Sequence, residues 1–412
     1  MKTGLEYARY IALALVVLLA LHILSTLLSA GLEFDESFNL QVPLNLYLHG
    51  EYQTWYNGFH KFHYLISTGP TVFFPIYALF SAFSSTSVLV ARFVTFGFAL
   101  LFIWLVCREF FRGEPAWQGA VFGFGFILLL FFVPEFPVMS VRVLGEVPGI
   151  ALIAASYRMF TSDDDNRRFL AGLLLGLAVL SKLIFLIAVV PVLLVAAIDA
   201  VNARMLKHGA TRLGYFFAGM LMPLAFWQVF KLSSLGFQGY MVAYRMQSKF
   251  VQSMTAGTPG ASFIDRAMSV IGTRIGTFVS DIGMLGAAGY VFLLVVAASA
   301  ALAVYAYVKD SRLDRFYFMV LLFGLVHTGW WAMLNIGDYY RHLFPGLLML
   351  IAGISLAFFG ISRSRSGLSR PATSLFTVFF IMFTVFNRGQ LIATIDDGYT
   401  FAPSGEALAQ NA

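Results

Sequence analysis

The segment from Arg9 to Ala30 constrains the fold more than any other, because it is a continuous apolar run. At 1.5 Å per residue it makes a helix of about 33 Å, enough to cross a bilayer. Similar runs recur, with basic clusters between alternate pairs. They are Val88 to Cys107, Trp117 to Phe136, Val147 to Phe160, Phe169 to Ser181, Leu183 to Val201, Leu213 to Leu235, Met284 to Val308, Phe316 to Leu334, Tyr340 to Ile361 and Pro371 to Phe386. The composition agrees, with 59% hydrophobic residues, 12% charged, 44 Phe and a mean hydropathy of +0.80. A water-soluble globule is excluded, and the chain reads as an all-α polytopic membrane protein of about 11 helices with short interfacial helices in the outer loops.

The charges give a topology. Lys2 and Arg9 precede the first span, placing the N-terminus in the cytoplasm as a retained signal anchor. Arg108, Arg112, Arg204, Lys207, Arg212, Lys309, Arg312, Arg315, Arg363, Arg365 and Arg370 then fall on that same side. The formal net charge of +6, from 27 basic and 21 acidic residues, records this topology rather than nucleic-acid binding. A single cysteine, Cys107, excludes internal disulfides. No internal repeat is visible, which weighs against a transporter built from inverted halves.

The outer face carries the candidate chemistry. Glu33, Asp35 and Glu36 crowd the exit of the first span, in a first outer loop over residues 31–87. Asp35 and Glu36 diverge by about 100° on a helix, so one can face a cavity while the other faces solvent or a cation. A partly desolvated carboxylate there has the raised basicity of a general base, and the same acids also suit the start of a short helix running to His49. The run Thr71 to Phe83 is short for a span and reads as re-entrant or interfacial. A second outer loop holds Arg142 and Glu146, at the i,i+4 spacing of a simple ion pair. A third, polar loop over residues 236–282 carries Arg245, Lys249, Arg266 and Arg274 against the positive-inside trend. Asp338, Tyr339, Tyr340, Arg341 and His342 precede the tenth span, where Arg341 also suits a snorkelling anchor. His49, His60 and His63 match no standard metal spacing and suit an aromatic belt.

Several motifs carry a family resemblance. Phe34-Asp35-Glu36-Ser37-Phe38-Asn39-Leu40, Leu48-His49-Gly50-Glu51-Tyr52, Thr68-Gly69-Pro70 with Pro75, and Val90-Ala91-Arg92-Phe93 together resemble the first-loop module of GT-C membrane glycosyltransferases. The branch they resemble is that of protein O-mannosyltransferases and lipid A aminoarabinose transferases. Gly172 to Lys182 is similar to that family's Gly-Leu-Ala-hydrophobic-Ser/Thr-Lys hairpin, and Tyr340-Arg341-His342-Leu343-Phe344-Pro345 to its Arg-Tyr-hydrophobic-hydrophobic-Pro segment. The resemblance is strong to about residue 200 and sparse afterwards; it implies a transmembrane module over residues 1–235, followed beyond the third loop by variable C-terminal helices with an outer tail over 283–412. The Trp-Trp-Asp-Tyr-Gly signature of oligosaccharyltransferases is absent, since Trp330-Trp331 continues as Ala332-Met333. A peptide asparagine is therefore not the expected acceptor.

The resemblance implies an inverting transferase that moves one mannose- or arabinose-like sugar from a polyprenyl-phosphate donor to a lipid, glycan or protein acceptor on the outer face. It implies Asp35 as general base, with Glu36 and Glu146 beside it. Arg341, Arg142, Arg245 and Lys249 are expected at the donor phosphate, and Tyr47, His49, His63, Tyr340 and His342 at sugar and acceptor. Arginine can neutralise the departing phosphate, so no cofactor is required, although the chemistry also accommodates a divalent metal. Two other classes compete. A cytoplasmic nucleotide-sugar enzyme would use Asp163-Asp164-Asp165 as a metal-binding turn, and a polyprenyl-lipid transporter or scramblase would use a polar outer cavity without catalysis.

Overall fold

The computed structural model describes residues 2–56, 60–62, 68–112, 116–133, 135–203, 206–255, 287–310, 313–334, 340–363 and 372–384, with the isolated positions 268 and 272. It is helical almost throughout. The elements in chain order are α1 (Lys2–Ser29), α2 (Phe34–His49), a hairpin of β1 (Thr54–Tyr56) and β2 (His60–Phe62), α3 (Pro70–Phe83), α4 (Val88–Phe111), α5 (Ala116–Phe131), α6 (Phe136–Met139), α7 (Glu146–Phe160) and α8 (Asp165–Ser181). A 3-10 turn (Leu183–Ala188) leads into α9 (Val189–Ala203), and then follow α10 (Leu206–Thr255), α11 (Ala287–Asp310), α12 (Arg315–Leu334), α13 (Tyr340–Arg363) and α14 (Ala372–Thr384).

Among the described residues, Val88–Phe111, Leu183–Val201, Ala210–Lys249 and Arg341–Arg363 are long and apolar enough to cross a membrane. Leu13–Ser29 and Phe34–His49 qualify together as one bent span. The protein is an integral membrane protein. Helix α7, of 15 residues, is buried along most of its length and forms the centre of the bundle. The apolar core runs through Phe102, Phe126, Ile150, Tyr157, Phe323 and Ile351, all buried.

Glycines set the closest helix pairs. A Cβ at Gly172 or Gly176 of α8 would overlap the carbonyl of Phe216 or Met220 in α10, and one at Gly219 would overlap Phe169. These two helices approach backbone to backbone, the packing small residues permit in bilayers, where water does not drive helices together. The polar third loop of the sequence reading is in part a helix. Residues up to Thr255 continue α10 beyond Gly236, whose φ of 66° and ψ of 171° lie in a region essentially restricted to glycine.

Candidate functional site

The chain alternates in direction, so one end of the bundle collects the exit of α1, the starts of α2, α4, α7 and α13, and the end of α8. The turn from α1 to α2 is sharp, 82° between the helix axes. A helix terminus leaves carbonyls without partners, and here Arg92 of α4 supplies them. Its guanidinium donates to the carbonyls of Ala30 (2.7 Å), Gly31 (3.0 Å) and Leu27 (3.4 Å), and forks onto Glu36 at 2.8 and 2.6 Å. Glu36 also accepts from the Val143 amide at 3.2 Å. Its neighbour along the helix face, Asn39, donates to the Val143 carbonyl (2.9 Å) and Thr68 Oγ1 (3.2 Å). The buried face of α2 thus ties together the α1–α2 bend, the loop before α3 and the loop before α7.

The acid pair divides as its helical spacing requires. Glu36 is wholly buried and saturated by Arg92, whereas Asp35 faces outward, 35% exposed, and pairs with Arg341 in the first turn of α13. Arg142 does not pair with Glu146 at i,i+4. The loop before α7 turns it toward Glu33, at 2.5 Å. Glu146 pairs instead with Lys182.

That second pair is built by close backbone approach. Lys182 is extended (φ −161°, ψ 127°), ends α8 and bridges to Thr68. A Cβ at Gly145 would overlap the Ser181 carbonyl, and one at Gly69 would overlap that of Leu180. Two loops therefore close on the tip of α8 and bring Glu146, the first residue of α7, to Lys182. Lys182 and Arg341 both lie within electrostatic reach of His342, and Lys182 and His342 within reach of the buried His327 of α12. Neither ring nitrogen of His327 has a hydrogen-bond partner among the described residues, and neither does Glu146 Oε2. Such buried, unsatisfied polar atoms are costly unless a ligand or water completes them.

Sequence reasoning missed Glu135, at the start of α6 (Phe136–Met139). Desolvation there pushes its carboxyl up to about 7, against the favourable charge of Arg142 and with the unfavourable charge of Glu33. The missed roles of Arg92 and Lys182 had a weak signal: each is a lone cation in an apolar run. Glu135 had none, because its neighbours Glu33 and Arg142 come from other segments.

Not every expected site residue joins this cluster. Tyr47 packs edge-on against Phe80, with ring centroids 6.3 Å apart, in the apolar layer between α2 and α3. It stands about 18 Å from Asp35 along the helix, and His49 about 21 Å. Arg245 and Lys249 are exposed on the limb of α10 beyond Gly236. His63 and the side chain of Tyr340 lie outside the described residues. Among the described residues no three His, Cys, Asp or Glu side chains converge as metal ligands.

The opposite end holds the other candidate. Asp164 caps α8, accepting from the Asn166 amide at 3.0 Å, while Asp163 binds Arg168 (3.2 Å) and Arg212 (2.9 Å) and Asp165 binds Arg168 (2.6 Å). Each of the three carboxylates serves the helix cap or an arginine, which accounts for the cluster without a metal.

No family model matches the chain, and no curated protein matches it. The fold is similar to solved structures. ArnT from Cupriavidus metallidurans in the apo state superposes with a TM-score of 0.53 at 11% identity, over 93% of this chain and 76% of that one. The same protein bound to undecaprenyl phosphate gives 0.54 at 12% identity, over 96% and 77%. The Archaeoglobus fulgidus oligosaccharyltransferase in the apo form gives 0.51 at 14% identity, over 93% of this chain but only 56% of the larger enzyme. At these identities the likeness is one of fold: the chain shares the helical transmembrane architecture of these structures.

Proposed function

We propose that the protein is a glycosyltransferase that moves one sugar from a polyprenyl-phosphate donor, with inversion, to an acceptor hydroxyl at the α2 end of the bundle. The observation that carries this reading is the partly exposed pair of Asp35 and Arg341, with Glu146, Lys182, His327 and His342 clustered at the same end of the bundle. The binding of undecaprenyl phosphate by a protein of the same fold supports a lipid-linked donor.

Asp35 is the proposed base. It accepts the acceptor's hydroxyl proton while the new bond to the anomeric carbon forms and the bond from that carbon to the phosphate oxygen breaks. Arg341 is the proposed phosphate ligand, its fork meeting two oxygens and stabilising the charge that grows as the lipid phosphate departs. In the resting pair each group neutralises the other. The donor phosphate then competes for Arg341, and Asp35 is released as a base only when there is a sugar to transfer. Glu36 contributes the bend rather than the chemistry, since both its oxygens are engaged. Glu146 Oε2 and His327 offer unused hydrogen-bonding atoms to sugar hydroxyls.

On this reading the reactive end faces away from the cytoplasm, because the basic clusters lie at the other end. The donor sugar is mannose- or arabinose-like, and the acceptor a lipid, glycan or protein. The test is transfer from labelled polyprenyl-phosphate mannose, arabinose and glucose by the purified protein in lipid. Turnover of one donor that disappears in Asp35→Asn is the expected result. Movement of intact donor across vesicles, unchanged in Asp35→Asn and without transfer, would favour a scramblase.

A further inference from the structure

The elbow at Gly236 encloses a second polar site. The two limbs of α10 (Leu206–Thr255) are joined across the elbow by a hydrogen bond from the Tyr240 hydroxyl to Gln228 Oε1 at 3.2 Å. Inside lies a cavity of about 380 Å³ whose polar lining is Gln228, Lys231, Tyr240, Tyr244, Gln247 and Ser248. Lys231 is only 7% exposed. Its ammonium lies 6.0 Å from the centre of the Trp227 ring, and no carboxylate pairs with it among the described residues. A buried, uncompensated cation within a membrane-spanning helix is expensive and points to function.

The lining specifies the ligand's chemistry. An ammonium, two carboxamides and the hydroxyls of Tyr244 and Ser248 can donate hydrogen bonds, and no lining residue is acidic, so the cavity suits a group rich in anionic acceptor oxygens. The helix around it is apolar on the outside, with Phe226 at 70%, Val229 at 64%, Phe237 at 71% and Val242 at 56% exposure. A ligand arriving there comes from the bilayer. We infer that the elbow of α10 is a binding site for a lipid phosphate headgroup, separate from the pair of Asp35 and Arg341. The chemistry is shared by polyprenyl phosphates and anionic phospholipids.

The test is native mass spectrometry of the full-length protein titrated with undecaprenyl phosphate, phosphatidylglycerol or undecaprenol. One bound equivalent of lipid phosphate is expected to survive Arg341→Ala, to weaken about tenfold in Lys231→Met and to recover in Lys231→Arg. Tighter binding of one phosphate lipid than the other identifies the natural source, and comparable binding of both still supports a phosphate site. If Lys231→Met does not fold, Gln247→Leu combined with Ser248→Ala carries the same test with a several-fold loss. Unchanged affinity in Lys231→Met, or undecaprenol binding as tightly as undecaprenyl phosphate, overturns the inference. The result does not depend on transferase activity.

Discussion

The two ends of the bundle use charge differently. At the end where α7 runs into α8, Asp163 is 81% exposed and shared by Arg168 and Arg212, and Asp199 meets Arg315 at 2.8 Å with both partly exposed. Glu109, a deeply buried acid there, is surrounded by Arg158 (3.1 Å), Arg112 (3.6 Å) and the Tyr317 hydroxyl (3.5 Å). At the α2 end, Glu36 and Arg92 are sealed in the protein, Asp35 and Arg341 are partly exposed, and Glu146 and His327 keep polar atoms without partners among the described residues. Saturated pairs fasten a helix terminus. Partly exposed charges with unused hydrogen-bonding atoms beside them are what the proposed function requires.

The largest effect should separate Asp35 from its neighbour. Asp35→Asn is expected to lower transfer about 10²- to 10⁴-fold while the thermal unfolding midpoint in detergent stays near wild type. A normal rate would break the contrast between the ends. Arg92→Ala should do the reverse, since it leaves Glu36 buried without a counter-charge, on the Val143 amide alone. About 3–5 kcal/mol of stability is expected to be lost, seen as a large fall in the midpoint. Glu109→Gln, at the other end, should also cost stability but leave the donor dependence of the surviving protein unchanged.

Next in size is the phosphate contact. Arg341→Ala should raise the apparent donor requirement and lower the maximal rate, each by about ten- to a hundredfold, with partial recovery in Arg341→Lys because a point charge cannot reproduce the fork. Wild-type donor kinetics in Arg341→Ala would place the phosphate elsewhere, and the elbow of α10 would be the first alternative.

The smallest effects sharpen the comparison. Glu135 is raised from 4.5 to about 7. The folded state therefore binds the proton more tightly than the unfolded chain. Its contribution to stability is complete below pH 4.5 and is lost as pH rises through about 7. Glu135→Gln should flatten that part of the stability profile, modestly, because the side chain keeps contact with solvent. Asp163→Asn at the opposite end should change the midpoint little, as expected for an exposed pair.

Helix positions were legible because bilayer thickness imposes a length on apolar runs. The breaks at Gly31, Lys182 and Leu334 all appear near where the sequence places them. The split between Asp35 and Glu36 also followed from helical geometry alone, although which of them would be sealed did not. That depended on Arg92, more than 50 residues away and inside an apolar stretch. Pairing was the hardest part to read. The i,i+4 spacing of Arg142 and Glu146 favoured a local pair, and tertiary packing overrode it, because Glu146 begins α7 while Arg142 remains in the loop before it. Helix α10 was misread beyond Gly236, where polar residues suggested a loop; there they line a cavity between two helical limbs.

The brace beneath the first bend has a consequence for the order of assembly. Arg92 follows Gly31, whose carbonyl it binds, by 61 positions. During synthesis the bend therefore leaves the ribosome well before its brace exists. Until α4 inserts, Glu36 and the open carbonyls of Leu27, Ala30 and Gly31 must stay hydrated at the membrane surface. Insertion of α4 then draws them in together with its own cation, so that neither charge is buried alone.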